Sequence, residues 1–185
     1  MWTFLEVAVI VAAAYPSSSL SQLVLTNLVR DKNPQQAASH IRVTPVFLIG
    51  WFFAVIGGSI RLWCYRTLAR LFTFELTIRN DHKLVTSGPY SYARHPSYTA
   101  LIMAVLGYSY CHLTRGSWLT ECSGLSLDGR LVRVLLGTWL STGIFVIFVL
   151  LGRTRKEDEM LQREFPEEWA AWAKKVPYKM IPFIF

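Results

Sequence analysis

The stretch Gly88-Pro89-Tyr90-Ser91-Tyr92-Ala93-Arg94-His95-Pro96-Ser97-Tyr98 concentrates side chains able to do chemistry. It lies just before an apolar run long enough for a membrane span, where polar and ionisable groups are costly and mark candidate sites. His95 can donate to or accept from a ligand. Tyr90, Tyr92 and Tyr98 offer hydroxyls and aromatic faces, and a cationic sulfonium suits such faces. Gly88 permits a close backbone approach, and Pro89 stiffens the bend. Pro96 fits the first turn of a helix. The amides at that helix start are expected to be free and to favour an anionic group. The competing reading makes Arg94 and the aromatics interfacial anchors.

A second group follows the next apolar run: Arg153-Thr154-Arg155-Lys156-Glu157-Asp158-Glu159-Met160-Leu161. Arg153 and Glu157 are four residues apart and share a helix face. The plainer alternative is a helical i,i+4 pair beside a basic stop-transfer flank.

The elements that must position these groups follow from blocks of apolar residues. The 185 residues are 52% hydrophobic and 17% charged, and the apolar residues come in runs. Such blocking points to an integral membrane protein of one domain. Spans are expected at about 3–29, 43–64, 97–113 and 131–151. The first is read as one uncleaved helix kinked at Pro16, with two shorter pieces as the alternative. Gly50, Gly57, Gly58 and Ser59 in the second span allow close helix approach. Asn80-Asp81-His82 reads as a turn. In the tail, Leu161, Phe165, Trp169 and Trp172 recur on one helix face, and Pro166 is expected to open a new helix.

The formal net charge is +7, with Lys and Arg clustered beside the apolar runs. This pattern reads as membrane topology and argues against nucleic-acid binding. With four spans both termini face the cytosol, and segments 84–98 and 152–177 lie on one side, able to meet. Cys64, Cys111 and Cys122 form neither a disulfide framework nor a metal-ligand spacing, and Cys64 reads as a packing residue.

Together the motifs resemble the isoprenylcysteine carboxyl methyltransferases. The resemblance rests on GPYSYARHPSY, a span, R-x3-E-D-x2-L-x3-F-P-E-E-W-x2-W-x3-V-P, and the ending Ile181-Pro182-Phe183. It covers about Leu84 to Phe183. It implies an all-α, polytopic membrane bundle of four or five spans, with a cytosolic helical tail closing a cofactor pocket. It further implies an endoplasmic-reticulum enzyme using S-adenosylmethionine. The methyl acceptor would be the C-terminal carboxylate of a prenylated protein or a small prenylcysteine-like lipid, with no metal and no nucleic acid involved. Carried over by position, Leu84, Val85, Gly88, Tyr90, His95, Tyr98 and Glu157 bind the cofactor. Arg153 and Glu157 are the catalytic pair.

This chain departs from the family pattern at Pro166, where a Gly is usual, and at Trp169 and Trp172, where tyrosines are. Three further readings share the motifs: methylation of a phospholipid amine or a terpenoid acid, a nicotinamide-dependent membrane reductase, and a non-enzymatic membrane scaffold.

Overall fold

A computed structural model describes residues 2–69, 83–124 and 129–184. The turn expected at Asn80-Asp81-His82 lies outside the described residues. All regular structure among the described residues is helical. Helices α1 (Trp2–Ala14), α2 (Ser19–Leu28), α3 (Pro34–Ser39) and α4 (Pro45–Leu68) come first. A 3₁₀ turn at Gly88–Ser91 leads to α5 (Pro96–Leu113). Helices α6 (Trp118–Glu121), α7 (Arg130–Glu164) and α8 (Pro166–Lys175) complete the chain.

Proline starts the helices that matter most. Pro45, Pro96 and Pro166 are each the first helical residue, where a missing N–H costs nothing. Thr44 adds a side-chain cap to α4, its hydroxyl accepting from the Phe47 amide at 3.1 Å.

The single kinked span expected over residues 3–29 is replaced by two short helices. Tyr15-Pro16-Ser17-Ser18 forms the break between α1 and α2. The residue before a proline is steered away from helical geometry, and the serines that follow favour turns. At 13 and 10 residues these helices are roughly 20 and 15 Å long, short of a ~30 Å hydrocarbon core. Val9 and Ala12 of α1 pack with Leu25 and Val29 beside it, Ala37 and Ala38 of α3, and Cys122. This core belongs to one compact unit, residues 1–53 and 106–141.

Among the described helices, α4 and α7 combine the length and apolarity needed to cross a membrane. Their most apolar windows are only 11% and 6% buried, so neither is a core helix of a water-soluble fold. Apolar side chains such as Trp51, Phe52, Ile144, Phe145 and Phe148 stand exposed along them. Helix α5 has 18 residues but carries Ser97, Tyr98, Thr99, Tyr108, Ser109, Tyr110 and His112, which lower its apolarity. The expected set of four spans thus contains two helices that meet the requirement unaided.

The second compact unit, residues 54–105 and 142–185, holds every candidate site residue. Its apolar cluster is Cys64, Tyr90, Trp172 and Val176, with Leu84, Val85, Leu161 and Trp169 packed against it. Cys64 is a fully buried free thiol within that cluster, in the packing role expected of it. Helix α7 runs unbroken through Gly152, so the charged tail begins as an extension of the apolar helix. That continuity fixes Arg153, Glu157 and Asp158 on a rigid element.

Gly57 lets α4 approach α5 closely. A Cβ there would stand 2.6 Å from the Ala100 carbonyl oxygen and 2.6 Å from the Ala104 amide nitrogen, whereas at Gly58 nothing lies within 4 Å. Gly57→Val is expected to destabilise the protein by ~1–3 kcal/mol through overpacking against backbone. Gly58→Ala is expected to be neutral or slightly stabilising. Thermal melts of both variants in detergent check this, and equal melting points would contradict it.

Candidate active site

The backbone before α5 is held by the tail. The Arg94 amide donates to the Tyr178 carbonyl at 2.9 Å, and the His95 amide to the Lys179 carbonyl at 2.6 Å. The Thr99 hydroxyl donates to the Met180 carbonyl at 2.8 Å, and the Tyr98 amide to the His95 carbonyl at 3.2 Å. The Arg94, His95 and Tyr98 amides are therefore committed inside the protein. After α8 the tail leaves helical geometry, and its Tyr178, Lys179 and Met180 carbonyls meet the donors around the α5 start.

His95 stands between two carboxylates. Its Nε2 is 2.9 Å from Asp158 Oδ1, and its Nδ1 is 3.2 Å from Glu157 Oε2. Glu157 and Asp158 are consecutive on α7, so their side chains leave the helix about 100° apart and reach opposite edges of one imidazole. A ring with a carboxylate at each nitrogen is satisfied only when both nitrogens carry protons. Burial opposes that charge, but the hydrogen bonds and negative charges of Asp158 and Glu157 outweigh it and raise the His95 pKa above its ordinary value.

The remaining atoms of the cluster are also paired. Glu157 Oε1 accepts from the Tyr98 hydroxyl at 2.5 Å and from Arg153 Nε at 3.0 Å. Asp158 Oδ2 lies 3.4 Å from the Arg94 guanidinium. Arg94 in turn sits over the Trp169 ring, 5.6 Å from its centroid. With His95 protonated, Arg94, His95 and Arg153 set three positive charges against the two of Glu157 and Asp158. Arg94 is 8% exposed, and the Arg153 side chain is 34% exposed. Arg153 is thus the cation of the cluster that an incoming anion reaches most easily.

A cavity of about 350 Å³ lies between the segment before the 3₁₀ turn and α8. Leu84, Thr86, Ser91, Glu168, Ala171, Trp172, Lys175 and Val176 line it. The Trp172 indole N–H donates to the Tyr90 carbonyl at 3.0 Å, tying the cavity wall to the turn. Helix α8 links the two features, since Trp169 touches Arg94 and Trp172 faces the cavity. The lining thus combines apolar side chains, one indole and charged groups on α8.

The sequence-derived site residues divide between these features. Structure brings His95, Tyr98, Arg153 and Glu157 into direct contact. Leu84 lines the cavity, and Val85 and Tyr90 belong to the apolar cluster beneath it. Gly88 adopts φ +60, and a Cβ there would meet Thr67 Oγ1 at 3.0 Å. Among the described residues, no group of three or more His, Cys, Asp or Glu is arranged to hold a metal ion.

Asp158 was not singled out from sequence, and Arg94 entered there only as an alternative interfacial anchor, yet both are buried in the cluster. A signal did exist. Leu150, Thr154, Asp158 and Leu161 recur at i, i+4, i+8 and i+11, a stripe that the structure packs inward. A carboxylate on such a stripe must have a buried partner.

Residues 48–127 match the sequence model of the isoprenylcysteine carboxyl methyltransferase (ICMT) family. This agrees with the resemblance drawn from the two motifs. The matched stretch includes GPYSYARHPSY and α5 and ends before α7, so Arg153, Glu157 and Asp158 lie beyond it. The chain is also similar to the cobalt-zinc-cadmium resistance protein CzcN of Cupriavidus metallidurans, 29% identical over 139 residues. That alignment covers 73% of this chain and 49% of CzcN, so the chain spans about half the length of the curated relative.

The raised His95 pKa has a defined consequence for stability. Its ion pairs contribute fully below the ordinary value of about 6.5 and fade as pH rises through the raised folded value. The melting temperature is expected to fall as pH rises above about 6.5, with a shallower slope in His95→Gln. Equal slopes in the two proteins would contradict the assignment.

Proposed function

We propose that this protein transfers a methyl group from S-adenosylmethionine to the C-terminal carboxylate of a prenylated cysteine, giving a methyl ester. The observation that carries the reading is the joining of the two motifs through the His95–Glu157–Asp158 clamp, beside a cavity closed by α8. The family match supports the reaction class.

The residues present fit the cofactor. The cavity has an aromatic plane in Trp172, apolar walls in Leu84 and Val176, and polar groups at Thr86, Ser91, Glu168 and Lys175. When bound, S-adenosylmethionine supplies an electrophilic methyl group on its sulfonium. Tyr90 and Val85 support the cavity from beneath, and Gly88 sets the turn that leads into it.

A carboxylate acceptor is ionised at neutral pH and needs no base. Arg153, partly exposed and anchored by Glu157, pairs with one acceptor oxygen and leaves the other to face the methyl group. His95 and Tyr98 hold Glu157 in place, which in turn aims Arg153. Two exposed apolar helices suit a substrate that carries its prenyl chain in the bilayer. On this reading the site faces the cytosol, and the family resemblance implies the endoplasmic-reticulum membrane as the compartment.

The protonation of His95 bears on the alternative acceptor. An amine acceptor must lose a proton, for which a neutral histidine would serve. Two carboxylates, one at each ring nitrogen, raise the His95 pKa and favour its protonated form. This favours an acidic acceptor over a phospholipid amine. A terpenoid acid shares that chemistry and is separated by assay.

Protein in detergent is expected to transfer label from S-adenosylmethionine to N-acetyl-farnesylcysteine in preference to terpenoid acids and phospholipid amines. Arg153→Ala is expected to lower kcat/KM by between about tenfold and a hundredfold, the worth of a charged hydrogen bond. Transfer to another acceptor alone would overturn the substrate assignment. An unchanged Arg153→Ala variant would overturn its role.

A further inference from the structure

The family resemblance makes Glu157 the carboxylate that holds the cofactor, but its oxygens are already occupied. Oε1 accepts from Tyr98 and Arg153, and Oε2 faces the His95 ring. A carboxylate so fully used inside the protein is a poor partner for the hydroxyls of a bound nucleoside. The cavity supplies a different one. Glu168 lines it in the first turn of α8, and Lys175 lines it in the last.

We infer that Glu168 and Lys175 are the two polar contacts that recognise the opposite ends of the cofactor. Glu168 accepts from the ribose hydroxyls, and Lys175 pairs with the carboxylate of the amino-acid end. The inference rests on the methyltransferase reading above and deepens it.

Spacing sets the assignment of the ends. Seven residues along a helix separate the two backbone positions by roughly 10 Å. The ammonium and carboxylate of one amino acid sit on a single carbon, so groups two turns apart are better suited to separate ends of an elongated ligand. Lys175 has no acceptor chemistry and takes the carboxylate. Glu168 then faces the nucleoside end, whose ribose offers two hydroxyl donors. Trp172 lies between them in sequence and lines the same cavity, adding apolar aromatic surface.

The plain alternative is that these charges complement the α8 dipole, with acidic groups at the start and basic groups at the end. Glu167 and Lys174 serve that purpose equally, since they occupy the same turns. Neither lines the cavity. Each charge facing the cavity therefore has a neighbour of the same type and turn that does not.

The test is isothermal calorimetry on the full chain in detergent with two probes, S-adenosylhomocysteine and 5′-methylthioadenosine. The second keeps the ribose and lacks the amino-acid end. Glu168→Ala is expected to weaken both probes by about tenfold. Lys175→Met is expected to weaken S-adenosylhomocysteine by about tenfold and leave 5′-methylthioadenosine unchanged. Glu167→Ala and Lys174→Met are expected to change neither. If the cavity-facing variants shift affinity no more than these neighbours, or if the two probes respond in the reverse pattern, the assignment falls while the methyltransferase reading stands. If the unmodified protein binds neither probe, the reading and the assignment fall together.

Discussion

The site depends on one buried charge held by two others. His95, 5% exposed, has a carboxylate at each ring nitrogen, and those carboxylates are neighbours on a single rigid helix. Removing either acid would leave a buried imidazolium short of compensation, a strongly unfavourable state. The clamp therefore fixes three things together: the protonation of His95, the docking of α7 against the α5 start, and the orientation of Glu157. Through Glu157 it reaches Tyr98 and Arg153, and through Asp158 it reaches Arg94 and the Trp169 face.

Around that clamp the tail acts as a scaffold. Carbonyls of Tyr178, Lys179 and Met180 take the donors of Arg94, His95 and Thr99, so the turn before α5 is held on its backbone as well as its side chains. Helix α8 then covers the apolar cluster and forms one side of the cavity. The cluster is built for charge, the cavity for a mainly apolar ligand with polar ends. Helix α8 contacts both, through Trp169 under Arg94 and Trp172 at the cavity wall.

Much of this was legible in the residues, and the reasons differ by element. Pro166 opens α8 because proline is tolerated only in the first turn, a rule that needs no tertiary knowledge. Cys64 is core because an isolated cysteine in an apolar run has no ligand partners. The meeting of His95 with Glu157 followed from placing two polar segments on one side of the membrane. Asp158 was harder, because a run of mixed charges hides which acid points inward until helix phase is counted from Leu150. The commitment of the Arg94 and His95 amides was illegible, since it depends on tail carbonyls some 80 residues later. Residues 3–29 read as one apolar stretch because composition does not weigh the turn at Tyr15-Pro16 against the cost of breaking a span.

The central claim is that His95 is a doubly protonated, clamped cation rather than a free base. Nitrogen-15 NMR of histidine-labelled protein at pH 7, assigned by comparison with His95→Gln, reads this directly. The account predicts both His95 nitrogens in the protonated N–H form, with the signal reverting toward a neutral ring in Asp158→Asn. A single neutral tautomer in the unmodified protein at that pH would contradict it.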